Sequence, residues 1–254
     1  MFVDTHCHLT DKKFREEEIA KILECPELEF CVILGCDAGD SKNVAELAKK
    51  HIKIYGAVGI HPENLEGINV DLALKDIERL ADNEKIVAVG EVGLDYHFRQ
   101  DNKELQKEVF IRQIDLANKL GKPICVHCRD AEEDMLEILR KNKEKLSHGF
   151  VMHCYSAGEK YVDAFAELGA YFGLAGNYTY KGYERGSVKY MPKEKILLET
   201  DSPYLAPGEY RGQKNNPTLV KVISKKLAEN LNETFDEICS LTTQNAKRFY
   251  GIKK

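Results

Sequence analysis

Short apolar runs alternate with longer amphipathic stretches along the whole chain, and this alternation predicts its architecture. Eight apolar runs are rich in Val, Ile, Ala and Gly, at 1–8, 29–36, 53–61, 85–94, 123–128, 149–154, 170–176 and 195–201. Their almost continuous apolar character is typical of parallel strands that are buried on both faces. The pattern therefore predicts eight β-strands in one parallel sheet.

Seven amphipathic segments separate or follow these strands and predict helices, at 40–51, 69–83, 102–122, 130–146, 158–169, 216–232 and 234–251. Asp40, Ser41 and Asn69 are candidate amino-terminal caps, and Gly121 is a candidate carboxyl-terminal cap. Segment 178–191 fits neither pattern. Strands alternating with helices over 254 residues predict an α/β fold, a single-domain (β/α)8 TIM barrel spanning residues 1–254. An open doubly wound sheet is the alternative.

Composition and charge narrow the function classes. Hydrophobic residues make up 43% of the chain and charged residues 31%, and the formal net charge is −5. This balance excludes a broadly basic nucleic-acid-binding surface, so any phosphate-binding charge must be local to a site. The opening segment lacks the regions of a secretory signal, and no run approaches the roughly 18 apolar residues that span a membrane. We expect a cytoplasmic protein without membrane contact.

The positions of the cysteines in the sequence are also typical of a cytoplasmic protein. The chain has 8 of them, mostly in apolar runs, and we expect buried, reduced thiols. Cys125 and Cys128 have the spacing of a redox or zinc-binding pair. Because no second such pair accompanies them, packing is the preferred interpretation.

Six side chains that can bind metal ions lie at the predicted ends of five strands. In a barrel all strands run the same way, so these side chains should meet at the carboxyl rim, where barrel enzymes carry their active sites. His6 and His8 lie two residues apart on one strand and should therefore face the same side. The six are His6, His8, Glu91, His127, His153 and Asp201.

Imidazoles and carboxylates together indicate a metal centre. Taken singly, each residue has an ordinary alternative: a hydrogen-bonded structural histidine, a helix cap or half of a salt bridge. Taken together, the six are too many for one catalytic ion with an open position, and they suit two ions about 3.5–4 Å apart. We expect His6, His8 and Asp201 to hold one ion, His127 and His153 to hold the other, and Glu91 to bridge them.

At this point the sequence resembles a known family. The motifs "DTHCHL", "GIHPEN", "GEVGLDYHF", "PICVHCRDA", "MHCYSAG" and "ETDSPYLAPGEYRGQKNNP" are similar, in this order, to those of TatD-type metal-dependent deoxyribonucleases. The resemblance covers nearly the whole chain. It implies a (β/α)8 barrel, a divalent-metal phosphodiesterase site, DNA cleaved from 3′ to 5′, and metal ligation by the same six residues. It also implies that Asp201 accepts a proton from the attacking water, with Glu91 as the second catalytic carboxylate.

Other residues near the rim are candidates for substrate binding. Guanidinium groups clamp phosphate oxygens, so Arg129 and Arg211 are expected to bind phosphate, and His61 to contact substrate without ligating metal. Asp4 is either a carboxylate that supports the ligands or a structural residue. Bases could stack on some loop aromatics, although most should simply pack. The aromatics are Tyr96, Phe98, Tyr155, Tyr178, Tyr180, Tyr183 and Tyr204.

The predicted substrate is DNA with single-stranded or frayed ends, because an acidic chain without a basic stripe suits long duplexes poorly. The metal identity stays open among Zn²⁺, Mg²⁺ and Mn²⁺, and no obligate protein partner is inferred. One alternative is a barrel hydrolase acting on an ester, lactone, amide or D-aminoacyl-tRNA. Such relatives usually bridge their metals with a carboxylated lysine, where this chain has Glu91. Another alternative is a metal-binding protein without turnover.

Overall fold

Eight parallel strands form the centre of the protein. The computed structural model describes residues 1–183 and 185–253. Each strand pairs with the next along the chain, in the order β1 to β8. Their bounds are β1 (Phe2–Cys7), β2 (Leu28–Leu34), β3 (Ile54–Val58), β4 (Ile86–Asp95), β5 (Ile124–Arg129), β6 (Phe150–Met152), β7 (Tyr171–Leu174) and β8 (Ile196–Leu198).

The two ends of this sheet meet, which confirms the barrel and excludes the open sheet. Cys7 forms a parallel bridge with Ser202. The N–H of His8 donates to the Ser202 carbonyl at 2.7 Å, and the N–H of Asp201 donates to the His6 carbonyl at 2.9 Å. The seam therefore places the segment after β8 directly beside the end of β1.

Helices surround the barrel, and their bounds correct two predictions. α1 was not predicted, although its sequence EEEIAKIL buries Ile19 and Ile22. α2 begins after Asp37, whose carboxylate accepts the N–H of Asp40, so the prediction of Asp40 or Ser41 as the cap is wrong. The helices are α1 (Glu16–Leu23), α2 (Ala38–Lys50), α3 (Val70–Ala81), α4 (Lys103–Leu120), α5 (Glu132–Lys141), α6 (Val162–Glu167), α7 (Val220–Leu231) and α8 (Phe235–Tyr250).

The connection between β7 and β8 departs from the regular alternation of strand and helix. Short 3₁₀ turns occupy it at Gly176–Thr179, Arg185–Tyr190 and Lys193–Lys195. The ambiguous segment of the sequence lies here, and its Tyr178 is fully buried. The tyrosine-rich composition thus supplies packing where other strand connections use a helix.

α8 closes the amino end of the barrel. Phe249 and Tyr250 belong to the apolar cluster inside that end, together with residues of all eight strands. The Tyr250 hydroxyl donates to the Thr5 carbonyl at 2.9 Å and lies 3.4 Å from the Cys125 sulfur. With this end filled by apolar side chains, polar groups can gather only at the carboxyl end. Among the described residues, the helices include none with the length and apolar character needed to cross a bilayer.

Candidate metal centre at the carboxyl end of the barrel

The other five predicted donors surround a buried Glu91. One carboxylate oxygen of Glu91, Oε2, lies 3.3 Å from Nε2 of His6 and 3.6 Å from Nε2 of His8. The two imidazoles approach each other at 3.2 Å through the same nitrogens. Oδ1 of Asp201 lies 3.3 Å from Nε2 of His8 and 3.7 Å from that of His6. These side chains enclose one half of the centre.

The other oxygen of Glu91, Oε1, faces the second half. It lies 3.0 Å from Nδ1 of His127 and 3.6 Å from Nε2 of His153. His153 also approaches the first half, because its ring stacks on that of His6 with 3.7 Å between centroids. Its Nε2 is 3.9 Å from Oδ1 of Asp201. His153 therefore lies between the two groups that the sequence assigned to separate ions.

Only some of these donors stand at the strand ends where they were expected. Glu91 and His127 lie within β4 and β5, whereas His153 follows β6 directly and Asp201 lies three positions beyond β8. Asp201 also has a left-handed backbone, with φ of 55°. The barrel seam holds this conformation through the N–H of Asp201. The rim is therefore assembled from strand interiors and from loops.

Three of the imidazoles have a hydrogen-bond acceptor on their outer side. Nδ1 of His8 lies 3.1 Å from the Leu34 carbonyl, and Nε2 of His127 lies 2.9 Å from Oδ2 of Asp95. Nδ1 of His153 lies 2.9 Å from Oε1 of Glu199, a charge contact without hydrogen-bond geometry. An outer acceptor holds the proton on the far nitrogen and leaves the inner lone pair free.

The sequence analysis missed Asp95 and Glu199. Each lies close to a predicted donor in the sequence. Asp95 is four positions after Glu91 in "GEVGLDYHF", and Glu199 is two positions before Asp201 in "ETDSP". Both are buried, at 0% and 1% exposure. Even spacing from a donor along an extended chain was the signal that could have found them.

The charges in this cluster favour an ionised Glu91 and raise the pKa of His8, His127 and His153, whereas burial lowers the pKa of His6. Burial alone would raise the pKa of Glu91, but the neighbouring His153, His6 and His61 hold it well below its usual range. Burial would lower the pKa of His127, yet hydrogen bonds to Asp95 and Glu91 raise it to about 9. Such mutual stabilisation of charges is typical of a site that can bind a cation.

The predicted substrate-binding residues lie at different distances from this cluster. Nε2 of His61 is 3.5 Å from Oε1 of Glu91, and its Nδ1 accepts the Glu63 N–H at 3.2 Å. Arg129 lies over the Phe98 ring, 4.8 Å from its centroid. Arg211 lies 4.6 Å from the centroid of the Tyr180 ring. The structure thus brings His61 into the cluster and places both arginines on aromatic rings.

Asp4 has a structural role at the seam. Its oxygens accept the N–H of Thr200 at 2.9 Å, the Thr200 hydroxyl at 2.5 Å and the N–H of His6 at 3.2 Å. These bonds tie β1 to the segment after β8. Burial raises the pKa of Asp4 to about 8, despite the opposing effect of these hydrogen bonds.

A cleft of about 690 Å³ opens above the donors, and only some of the candidate stacking residues line it. Phe98 and Tyr204 line it and are 58% and 46% exposed. Tyr96, Tyr155 and Tyr178 are buried in the core. Arg129 is also among the described residues that line this cleft, and Arg211 is not. Only part of the predicted substrate surface therefore faces the donors.

Groups of donors close enough to share an ion occur three times among the described residues. In each group, one ligand atom per residue lies within 4.8 Å of the others. They are His6, His8 and Glu91; His6, His153 and Asp201; and His61, Glu91 and His127.

The whole chain is similar to known metal-dependent hydrolases. A family model described as TatD related DNase matches residues 3–251. YabD of Bacillus subtilis (strain 168), an uncharacterized metal-dependent hydrolase, is 36% identical over 257 residues, covering 99% of this chain and 100% of YabD. YcfH of Escherichia coli (strain K12), also an uncharacterized metal-dependent hydrolase, is 33% identical, covering 98% of this chain and 96% of YcfH.

A solved structure agrees with these relatives. The crystal structure of YJJV, a TatD homolog from Escherichia coli K12, superposes on this chain with a TM-score of 0.91. The two sequences are 27% identical, and the alignment covers 99% of this chain and 98% of YJJV. The similarity therefore extends over the complete barrel.

Proposed function

Because the chain belongs to the TatD family of metal-dependent hydrolases, we propose that it is a deoxyribonuclease acting on single-stranded or frayed ends. One observation carries the proposal. Arg129 lines the same cleft as the donor cluster, and no described carboxylate forms a salt bridge with it. Its neighbour Asp130 pairs with His97 instead, at 2.9 Å. An unneutralised guanidinium beside the donors suits a phosphodiester better than a neutral ester or amide.

The donor set fits two divalent ions. His6, His8 and Asp201 would hold one ion, His127 and His153 would hold the other, and Glu91 would help to hold both. When bound, such ions supply Lewis acidity and lower the pKa of water from 15.7 toward about 7. Nitrogen-rich donors favour Zn²⁺ over Mg²⁺ or Mn²⁺, so Zn²⁺ is the first ion to test.

His61 serves this centre as a hydrogen-bond donor. Since its Nδ1 accepts the Glu63 N–H, the ring proton resides on Nε2, which lies 3.5 Å from Oε1 of Glu91. A protonated nitrogen has no lone pair for a metal. His61 would then hold the Glu91 carboxylate, or a substrate oxygen, without ligating an ion.

Asp201 is the better proton acceptor of the two proposed catalytic carboxylates. Its side chain is 15% exposed, against 4% for Glu91, so a water in the cleft can reach it. Burial alone would raise its pKa, but the hydrogen bond from His8 and the charge of His153 lower it below the usual range. Asp201 is therefore ionised at neutral pH and can take the proton that water loses as it attacks phosphorus.

The cleft surface supports an end-binding mode. Phe98 and Tyr204 present exposed rings, and stacking contributes about 1–3 kcal/mol per base on such rings. Arg129 would bind phosphate oxygens there, and Arg211 would bind them farther along the strand. A net charge of −5 limits attraction for long duplexes, so the short single-stranded end is the fitting ligand. The 3′-to-5′ direction is proposed from the family alone.

Location in the cytoplasm is part of the same proposal. All eight cysteines are free thiols, four of them buried and four partly buried. Unpaired thiols in this number suit a reducing compartment such as the cytoplasm.

The proposal is tested with oligonucleotides labelled at the 3′ or the 5′ end, supplied with Zn²⁺, Mn²⁺ or Mg²⁺ in turn. We expect shortening from the 3′ end, faster on single strands than on blunt duplexes. Bis(p-nitrophenyl) phosphate and p-nitrophenyl butyrate report the reaction class separately. Hydrolysis of the butyrate ester without any loss of DNA would overturn the deoxyribonuclease assignment and favour the esterase alternative.

Variants test the roles of individual residues. Asp201→Asn should slow hydrolysis by about 10²–10⁴-fold, with bound metal measured alongside to separate proton transfer from ligation. Asp130→Asn is the matched control, because this carboxylate follows β5 at the same rim and, among the described residues, forms a salt bridge with His97 alone. Asp201→Asn with full metal and near-parent turnover would show that another group accepts the proton.

A further inference from the structure

A fully buried carboxylate outside the predicted donor set lies against the candidate centre. Asp95 ends β4 and is 0% exposed. Its two oxygens have separate tasks. Oδ1 accepts the N–H groups of His97 and Phe98, each at 2.9 Å, and Oδ2 lies 2.9 Å from Nε2 of His127. One carboxylate thus joins a loop at the rim to an imidazole of the centre.

The strand register explains why His127 meets this carboxylate. Glu91, Gly93 and Asp95 alternate along β4 and face the same side. Gly93 pairs with His127 on β5, and a Cβ atom at Gly93 would lie 1.9 Å from the His127 carbonyl oxygen. Glycine therefore lets β4 and β5 pair closely here, and the ring of His127 lies between Glu91 and Asp95. Each ring nitrogen then meets one carboxylate, at 3.0 Å and 2.9 Å.

Asp95 is itself held rigidly. Its N–H donates to Oε1 of Gln106 at 2.8 Å, and Nε2 of Gln106 donates to its carbonyl at 3.0 Å. Gln106 is 1% exposed and belongs to α4. Because the backbone and Oδ1 are both engaged, the remaining oxygen cannot turn away from His127.

We propose that Asp95 is a positioning residue that keeps the proton of His127 on Nε2 and directs the Nδ1 lone pair toward Glu91. A neutral imidazole carries one N–H, and an ionised carboxylate can only accept it. Asp95 therefore selects the ring form in which Nδ1 can ligate. That Nδ1 of His127 ligates a metal ion rests on the proposed function. That Asp95 keeps the proton of His127 on Nε2 does not require DNA to be the substrate.

Two substitutions at Asp95 separate ring orientation from loop support. In Asp95→Asn the amide oxygen still accepts the two backbone N–H groups, but the NH₂ group faces Nε2 of His127. That donor forces the ring proton onto Nδ1. Asp95→Ala loses the hydrogen bonds to the loop, but it places no NH₂ group against Nε2 of His127. Asp134→Asn is the matched control, because Asp134 accepts the neighbouring Tyr96 hydroxyl at 2.7 Å without contacting His127.

Zinc affinity is the main measurement, taken by competition with a chromogenic chelator on protein freed of metal. We expect Asp95→Asn to bind Zn²⁺ about 10–100-fold more weakly than the parent. Asp95→Ala should lose less, and Asp134→Asn should match the parent. Affinity of Asp95→Asn within twofold of the parent, or Asp95→Ala weaker than Asp95→Asn, would overturn the inference.

A second measurement needs no variant and guards against misfolding. Long-range ¹H–¹⁵N spectra of the zinc-loaded parent should show His127 protonated on Nε2, and protonation on Nδ1 would overturn the inference. Neither readout involves DNA. Weak zinc binding by Asp95→Asn in a protein that never cleaves DNA would support this inference while overturning the proposed function.

Discussion

A methyl group at Gly173 should disturb the centre without changing any of its donors. Gly173 lies in β7, and a Cβ atom there would lie 2.5 Å from Oε2, 2.7 Å from Oε1 and 2.7 Å from Cδ of Glu199. Ordinary contacts of this kind are about 3.5–4.0 Å, so Gly173→Ala must push the carboxylate away by about 1 Å. The Glu199 carboxylate cannot swing into solvent, because Glu199 is 1% exposed.

The displacement breaks two contacts at once. Oε1 of Glu199 now accepts the Cys154 N–H at 2.5 Å and lies 2.9 Å from Nδ1 of His153. Overpacking costs about 1–3 kcal/mol and a lost charged hydrogen bond about 1.5–3 kcal/mol, so Gly173→Ala should lower the free energy of unfolding by about 2.5–6 kcal/mol. Loss of the outer contact to His153 should weaken Zn²⁺ binding by about 10–100-fold.

Urea unfolding of metal-free protein and chelator competition measure the two effects of Gly173→Ala separately. Gly169→Ala is the control: its φ of 87° strains an alanine, but no atom lies within 4 Å of the new Cβ. It should lose about 1–2 kcal/mol of stability and keep its zinc affinity. If Gly173→Ala matched the parent in both assays, Glu199 would not occupy the described position. If only stability fell, Glu199 would support Cys154 and not His153.

Three further outcomes follow from the same structure. Zinc affinity should rise between pH 7 and pH 9, because the raised pKa of His8 and the pKa of about 9 for His127 mean that protons must leave before metal binds; equal affinity at both pH values would contradict this. Asp4 has a pKa of about 8 in the folded protein and near 3.9 in the unfolded chain. Its contribution to the free energy of unfolding is therefore complete below about pH 3.9 and is lost as the pH rises through about 8. Urea midpoints of the metal-free parent should therefore fall more steeply from pH 5 to pH 9 than those of Asp4→Asn, and parallel curves would argue against it. Tyr250→Phe should cost about 1–3 kcal/mol in urea unfolding, because the Thr5 carbonyl loses its donor; a change in zinc affinity there would show unexpected coupling across the barrel.

The strand pattern was readable because parallel strands in a barrel are buried on both faces. Each of the eight apolar runs overlaps one strand, although β2, β4 and β5 extend one residue beyond their runs and β8 ends early, at Leu198. The missed helix α1 is short and begins with three glutamates, so its apolar face rests on little more than Ile19 and Ile22. Between β7 and β8 the tyrosines pack in 3₁₀ turns, and no simple period describes such a segment.

The identities of the donors were also present in the sequence, since imidazoles and carboxylates at the ends of parallel strands must share a rim. The sequence could not show that His153 leans toward His6, because ring stacking depends on side-chain torsions. It could not show that Arg129 faces the donor cleft and Arg211 does not, because loop paths decide that placement. It also could not show that Tyr155 is buried while Tyr204 is exposed.

The order of the strands, the barrel and the six candidate metal-binding side chains were thus predicted from the sequence alone. They depend on periodicity and on residue chemistry, which are local. The direction in which each imidazole nitrogen points was decided only by the tertiary structure. It depends on Leu34, Asp95 and Glu199, which reach the rings from other strands or loops once the barrel closes. Hydrogen bonds between distant segments have no period along the chain, so only the folded molecule reveals them.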